Sequence, residues 1–155
     1  MITAVDSNIL FDIILPGEPH GDASEVALAD ALNAGALVIS DPVYAEVSSR
    51  FRDRMGLNRL LVDTGIRRDA SDESSLHRAG VAFATYVQRR PRGFTCQMCG
   101  SVEPLTCRRC SSAVRSRQHL LTDFVIGAHA AVQADRLLTR DRGYYATYFP
   151  ELTLV

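Results

Sequence analysis

The sequence predicts an α/β sandwich, a mainly parallel sheet covered on both faces by helices. Two observations carry that prediction. Short continuous apolar runs, such as Ala36 to Ile39, have the length and character of strands buried on both sides. These runs alternate with longer segments that begin and end on helix signals, the pattern of parallel α/β folds. The 155 residues, 46% of them hydrophobic and 23% charged, suffice for one ordinary domain with a real core and exclude wholesale disorder. No apolar run approaches the roughly 18 residues of a membrane span.

Each element follows from local signals. Ile2 to Val5 is a β-prone run that ends at Asp6. Asn8 to Leu15 reads as a helix of about two turns, stopped by Pro16-Gly17. Asp22 or Ser24 can cap a second helix over 23–33, and Gly35 stands where its C-terminal cap belongs. Ala36 to Ser40 is the second strand. Asp41-Pro42 opens a helix that carries Tyr44, Glu46, Val47 and Phe51, with Pro42 in the first turn, where its missing N–H is tolerated. Residues 56–71 are ambiguous, a short helix followed by a strand near 65–69. Ser71 to Ser74 starts a helix that runs to about Arg90 and stops at Pro91. Thr122 to Ala134 reads as a helix whose Gly127, Ala128, Ala130 and Ala131 suit close approach to the sheet. Arg136 to Thr139 is a short strand, 141–148 a turn with a little helix, and Leu152 to Val155 a last strand. No internal repeat or low-complexity stretch is visible.

Charge is unevenly spread. The net charge is −1, yet all 17 basic residues are arginine, and seven of them lie between Arg89 and Arg117 against one acid, Glu103, a local balance of +6. All four cysteines share that window. Met1 to Asp6 contains no basic leader and reaches an acid at once, so the expected location is the cytoplasm, without a membrane. Cysteines in that setting point to metal or redox chemistry before disulfides.

Four acids fall in equivalent places. Asp6 ends the first strand, and Asp141 follows the strand at 136–139 after one residue. Asp123 begins the helix at 122–134, and Glu46 lies in the first turns of the helix after the second strand. Ligands of open parallel sheets bind beyond the carboxyl ends of the strands, where all four can converge. Carboxylates gathered there repel one another strongly unless a divalent cation neutralises them, and oxygen ligands favour Mg²⁺ or Mn²⁺. Any one acid alone reads as an ordinary turn or helix-start residue; the joint pattern points to a site.

Val5-Asp6-Ser7-Asn8-Ile9-Leu10, Tyr44-Ala45-Glu46-Val47, Thr122-Asp123-Phe124-Val125-Ile126-Gly127-Ala128-His129-Ala130 and Leu137-Leu138-Thr139-Arg140-Asp141-Arg142-Gly143-Tyr144 resemble the four signature blocks of PIN-domain ribonucleases, above all the VapC-type toxins of bacterial toxin–antitoxin pairs. The resemblance covers nearly the whole chain in order, apart from about 92–118. It implies a PIN-like three-layer α/β/α sandwich with catalytic, metal-binding roles for Asp6, Glu46, Asp123 and Asp141. Ser7, Asn8 and Thr139 would be supporting residues that orient ligands or solvent; Ser7 reads equally as a helix N-cap. The implied activity is endoribonuclease hydrolysis of RNA phosphodiester bonds, with one or two Mg²⁺ or Mn²⁺ ions lowering the pKa of a bound water. No side-chain nucleophile is needed, and no histidine receives a catalytic role; His129 reads as a core or surface residue. An antitoxin protein and a homodimer are also implied.

Cys96, Cys99, Cys107 and Cys110 form C-x2-C-x7-C-x2-C, which supplies four thiolates for a structural, tetrahedral Zn²⁺. Gly100 suits the tight turn after the first pair, and the spacer can join two knuckles by a hairpin around Glu103-Pro104. Residues 91–118 thus read as a zinc-binding insertion within a single domain of 1–155. A segment this small cannot build its own core, and zinc contributes about 10–16 kcal/mol in comparable peptides. A redox dithiol pair or an iron–sulfur site are the other readings. Arg108, Arg109, Arg115 and Arg117 are candidates for RNA phosphates, against a solvated face or pairing with protein. The insertion departs from the compact VapC pattern, and a branch of PIN nucleases acting in ribosomal RNA maturation carries a zinc ribbon. Three functions therefore stand side by side: a VapC-like toxin, a housekeeping PIN nuclease in RNA processing, and a non-catalytic zinc-bearing RNA- or protein-binding module. The intact set of four acids argues against the third.

Overall fold

The computed structural model describes residues 1–89, 93–96, 99, 101–114 and 120–155. The chain runs β1 (Ile2–Val5), α1 (Ser7–Ile14), α2 (Gly21–Ala34), β2 (Ala36–Ile39), α3 (Asp41–Ser48), α4 (Arg54–Thr64), β3 (Ile66–Arg68) and α5 (Glu73–Arg89). Four two-residue strands follow, β4 (Phe94–Thr95), β5 (Val102–Glu103), β6 (Leu105–Thr106) and β7 (Ala113–Val114). The chain closes with α6 (Leu121–Gln133), β8 (Arg136–Leu138) and α7 (Arg142–Tyr148). The sequence assignments on Arg90, Pro91, Arg92, Gly100, Arg115, Arg117 and His119 lie outside the described residues.

The central sheet has the order β3-β2-β1-β8, and every neighbouring pair is parallel. The expected last strand extends it: Leu137 N–H donates to Thr153 O at 2.9 Å and Val155 N–H to Leu137 O at 3.0 Å, in parallel register. The connections from β1 to β2 to β3 step one way along the sheet, and the connection to β8 returns across it. Right-handed crossovers then put the helices of the two connections on opposite faces. Leu37, Ile39 and Leu137 have no exposed surface, as strands covered on both faces require. Among the described residues no helix is long and apolar enough to cross a membrane.

Gly35 shows why one residue type is needed at the first crossover. A Cβ there would lie 2.0 Å from Met1 O. Without it the chain leaves α2 directly beside β1, and Ala36 N–H meets Met1 O at 2.9 Å to start the β1–β2 ladder. The ambiguous stretch at 56–71 resolves into α4 and β3. Asp53 Oδ1 caps α4 by accepting from Gly56 N–H at 2.9 Å, and Gly65 ends it at φ 67°. Its buried stripe is only Leu57 and Leu61, too little for a clear periodic signal.

Several expectations need correction. Helix α3 ends at Ser48, so Phe51 lies beyond it. Helix α1 begins at Ser7, so Asp6 holds the N-cap position and Ser7 lies inside the first turn. Helix α2 begins at Gly21, so neither Asp22 nor Ser24 caps it. Ser24 instead turns inward and donates to the buried Asp12 Oδ2 at 2.7 Å. The cysteine segment has no hairpin around Glu103-Pro104. Pro104 links two separate hairpins, β4–β5 and β6–β7, whose turns carry the cysteine pairs. These hairpins are also an internal repeat that the sequence reading did not see.

The carboxyl-terminal half is organised around aromatic rings. Phe124, fully buried at the start of α6, meets Phe83 at 5.4 Å, Tyr86 at 5.5 Å, Tyr144 at 5.3 Å and Tyr148 at 5.2 Å between ring centroids. Gly127, one turn on, serves this layer rather than the sheet. A Cβ there would stand 2.3 Å from Phe149 Cε2 and 3.0 Å from Tyr145 Cδ1. Both rings are buried, so they have little room to give. Gly127→Ala should therefore destabilise the protein by about 1–3 kcal/mol through overpacking, read as a lower denaturant midpoint at unchanged slope. An unchanged midpoint would show that α7 slides freely on α6.

Candidate active site

Asp6 follows β1 directly. Its N–H continues the ladder to Leu138 O at 3.0 Å, which sets the carboxyl at the carboxyl edge of the sheet with 5% of its surface exposed. Three neutral donors converge on Oδ2: Thr139 Oγ1 at 2.7 Å, Asn8 Nδ2 at 2.9 Å and Tyr145 OH at 3.3 Å. The Ser7 hydroxyl approaches Oδ1 at 3.4 Å. Thr139 Oγ1 in turn accepts from Asp141 N–H at 3.0 Å and Asn8 Nδ2 at 3.1 Å. Asn8 Oδ1 accepts from Arg140 N–H at 3.3 Å. This mesh joins the turn after β1 to the turn after β8, the two central strands of the site.

The other acids come from the helices around that edge. Glu46 is half-buried on α3, where the Ser7 side chain hydrogen-bonds it. Asp123 is half-buried in the first turn of α6, where its Oδ2 accepts from Leu120 N–H at 2.9 Å. Asp141 is exposed and caps α7, accepting from Tyr144 N–H at 3.3 Å. The acids sense one another. Burial raises the Asp6 carboxyl above the usual carboxylate range; hydrogen bonds from Thr139, the Ser7 backbone and Tyr145 oppose the rise, and the Asp123 charge adds to it. Burial also raises Glu46, with the Ser7 hydrogen bond opposing and the charges of Asp6 and Asp123 adding. Burial, then the charges of Asp6 and Asp123, push the Tyr145 phenol up, so it stays a protonated donor to Asp6.

A full positive charge stands close by, but it is committed. Arg140 makes a two-pronged pair with Asp12, Nε to Oδ2 at 2.7 Å and Nη2 to Oδ1 at 2.8 Å. Asp12 is buried, so the guanidinium balances that carboxylate rather than the acids at the edge.

The donor set fits a hard divalent cation. It is made of carboxylate oxygens, supported by neutral hydroxyls and an amide, and the Asp123 charge adds to the raised proton affinity of Asp6 and Glu46. Among the described residues no group of three acid, histidine or cysteine side chains forms a ready metal-ligand cluster. The acids thus meet as a shared negative field around Asp6.

The sequence reading did not single out Tyr145. A full turn of helix after Asp141 places residue 145 back over the site, and the short helix expected there was the available signal. His129 is a core residue, as one of its two readings had it. It is fully buried on α6, with Nε2 3.1 Å from Asp69 Oδ2, and Gln133 Nε2 reaches the same oxygen at 3.1 Å. Arg108 and Arg109 are exposed in the turn between Cys107 and Cys110.

No family model matches the chain, and no curated protein matches it in sequence. Its fold is that of solved VapC-containing structures. A chain of VapBC2 from Rickettsia felis, bound to a DNA fragment from their promoter, superposes with a TM-score of 0.61 at 17% identity, covering 100% of this chain and 98% of that one. A chain of VapBC-1 from nontypeable Haemophilus influenzae gives 0.59 at 18% identity, covering 100% and 97%. VapC20 of Mycobacterium tuberculosis, described as a sarcin-ricin loop cleaving toxin, gives 0.54 at 13% identity, covering 97% and 98%. The α/β class with a central parallel sheet, expected from the sequence, is the fold observed.

The raised carboxyls set a pH dependence. The folded chain keeps protons on Asp6 and Glu46 that the unfolded chain releases above about pH 4. Stability is therefore lost as pH rises from the ordinary carboxylate value through the raised values, and stays lost above them. Glu46→Gln removes part of this penalty. In metal-free buffer the variant should unfold at a higher temperature than wild type at pH 7, with the gap closing near pH 4. Equal melting temperatures at pH 7 would show that Glu46 is not held in the field of the other acids.

Proposed function

We propose that the chain is a Mg²⁺- or Mn²⁺-dependent endoribonuclease that hydrolyses RNA phosphodiester bonds, and that it acts in the cytoplasm as a VapC-like toxin restrained by an antitoxin protein. The observation that carries the reading is Asp6, buried at the carboxyl edge of a parallel sheet and held by three neutral donors, with Glu46 and Asp123 near enough for the Asp123 charge to act on both carboxyls. The shared fold with VapC chains supports it. Asp6, Glu46, Asp123 and Asp141 are the residues that would hold the cation, which when bound supplies an acidified water and stabilises charge at phosphorus.

The protein's own part is positioning. Thr139, Asn8 and Tyr145 fix Asp6 Oδ2 from three directions, so the carboxylate is presented in one orientation. Ser7 touches both Asp6 and Glu46 and sets their mutual angle. Asp141 stands at the exposed rim, where a polymer backbone would enter. An RNA strand is itself anionic and is repelled by this edge, so a basic flank is required. Arg108 and Arg109, with Arg115 and Arg117, would supply it by meeting phosphates.

The partners follow the resemblance in sequence. An antitoxin and a second copy of the chain both need apolar surface to cover. Val26 and Leu32 on α2 and Met55 and Val62 on α4 are exposed apolar side chains of the kind such partners bury. A second reading, an RNA-processing nuclease, is favoured by the cysteine segment with its surplus of arginine. Growth arrest on expression, abolished by Asp6→Asn, supports the toxin; harmless expression of an active enzyme supports the second reading.

The direct test is cleavage of a mixed pool of structured and single-stranded RNA by purified protein. Cleavage should require added Mn²⁺ or Mg²⁺ and fall at least about 100-fold in Asp123→Asn, the loss typical of a removed metal-site group. Metal-independent cleavage, or full activity in the variant, would overturn the proposal. Reversing Arg108 and Arg109 to Glu should weaken RNA binding and flatten its salt dependence. An unchanged salt slope would remove both arginines from the interface.

A further inference from the structure

The carboxylate site makes no use of the four cysteines, and the segment that holds them has an order of its own. Phe94-Thr95-Cys96, Cys99-Gly100-Ser101-Val102 recurs eleven residues later as Leu105-Thr106-Cys107, Cys110-Ser111-Ser112-Ala113. The backbone recurs with it. In each half an antiparallel two-residue ladder leads straight into the first cysteine. That cysteine's N–H then donates to the carbonyl five residues on, Cys96 to Ser101 at 2.8 Å and Cys107 to Ser112 at 2.9 Å. The second cysteine's sulfur lies against the hydroxyl two residues on, Cys99 to Ser101 at 3.3 Å and Cys110 to Ser112 at 2.9 Å.

The second turn passes through Ser111 at φ 56°, the one non-glycine residue in the left-handed region among the described residues. The equivalent place in the first repeat is Gly100, the residue type that takes this conformation freely. A disfavoured serine conformation directly after the second cysteine of the pair, where the first repeat has glycine in sequence, indicates a turn built for its sulfurs. Within each turn the side chain of the second cysteine also meets that of the first. All four cysteines are free thiols.

Apolar packing does not explain this order. Val102, Leu105 and Val114 are all exposed, and two-residue ladders are far shorter than hairpins that stand alone. We propose that the two knuckles close on a single Zn²⁺, with Cys96, Cys99, Cys107 and Cys110 as its four thiolate ligands. Among the described residues the two sulfur pairs do not form one cluster, so closure brings the hairpins together about Pro104. Loading four thiols with one Zn²⁺ releases four protons and leaves a centre of charge −2, so affinity for the ion rises with pH. The ion orders the turn that displays Arg108 and Arg109, and four sulfurs leave it no open position for catalysis.

The test uses the full chain, reduced, with zinc as the probe. Native mass spectrometry should find one zinc per chain. Co²⁺ substituted for it should give the d–d spectrum of a tetrahedral site, with the charge-transfer intensity of four thiolates. Cys96→Ser and Cys110→Ser, one from each repeat, should each weaken binding at least tenfold. Two ions per chain, a two-thiolate spectrum, iron in the purified protein, or a reduced wild type that binds no zinc would each overturn the proposal. The cobalt spectrum is read on the wild type and does not depend on the variants folding. RNA cleavage plays no part in the test, so its failure and that of the nuclease reading are separable.

Discussion

A carboxylate is buried at the end of the first strand, and the rest of the site is arranged around it. Burying Asp6 opposes its ionisation, and among the described residues no cation is paired with it to offset that. Three neutral donors to one oxygen make the burial tolerable without removing the charge's deficit. Neutral donors matter here. An arginine in their place would satisfy Asp6 permanently and leave the edge nothing to attract a cation with. The nearby Arg140 is held off by its own buried partner, Asp12, which Ser24 secures from the next helix.

The fold supplies the geometry that this arrangement needs. Parallel strands end at one edge, so the turns after β1 and β8 meet, and Thr139 can reach Asp6 across the ladder. Helix α6 contributes Asp123 from its first turn and α3 contributes Glu46 from its second. Phe124 follows Asp123 and is locked among four rings. The acid that faces the site is thus carried by a residue with no freedom to move. Gly127 lets Tyr145 and Phe149 close on that helix, and Tyr145 carries the closure back to Asp6. Packing and electrostatics meet in one side chain.

Much of this was legible in the sequence. The continuous apolar runs at 2–5 and 36–39 announce strands buried on both faces, and acids following such strands announce the edge. What escaped was of two kinds. Side chains whose role depends on another element left no local trace: Tyr145 looks like any helical tyrosine, and Ser24 like any cap. The cysteine repeat escaped for a different reason. Its two halves share only threonine, two cysteines and a serine at fixed spacing, and its strands are two residues long. Neither hydrophobic periodicity nor composition registers such a unit, and it becomes plain only when the hydrogen bonds of Cys96 and Cys107 are seen to match.

The same distinction divides the molecule electrostatically. The body holds an excess of acid and places four carboxylates at one edge of the sheet, while the segment between Arg89 and Arg117 carries +6. An anionic polymer would be repelled by the first and drawn by the second. The central claim, however, concerns Asp6 alone, and it is best tested on that carboxyl. A ¹³C NMR titration of the Asp6 side chain, with and without Mg²⁺, reads it directly. The account predicts a pKa above the ordinary value of about 4 in metal-free buffer and a value below it when Mg²⁺ is present. A carboxyl that titrates at the ordinary value in both conditions would contradict it.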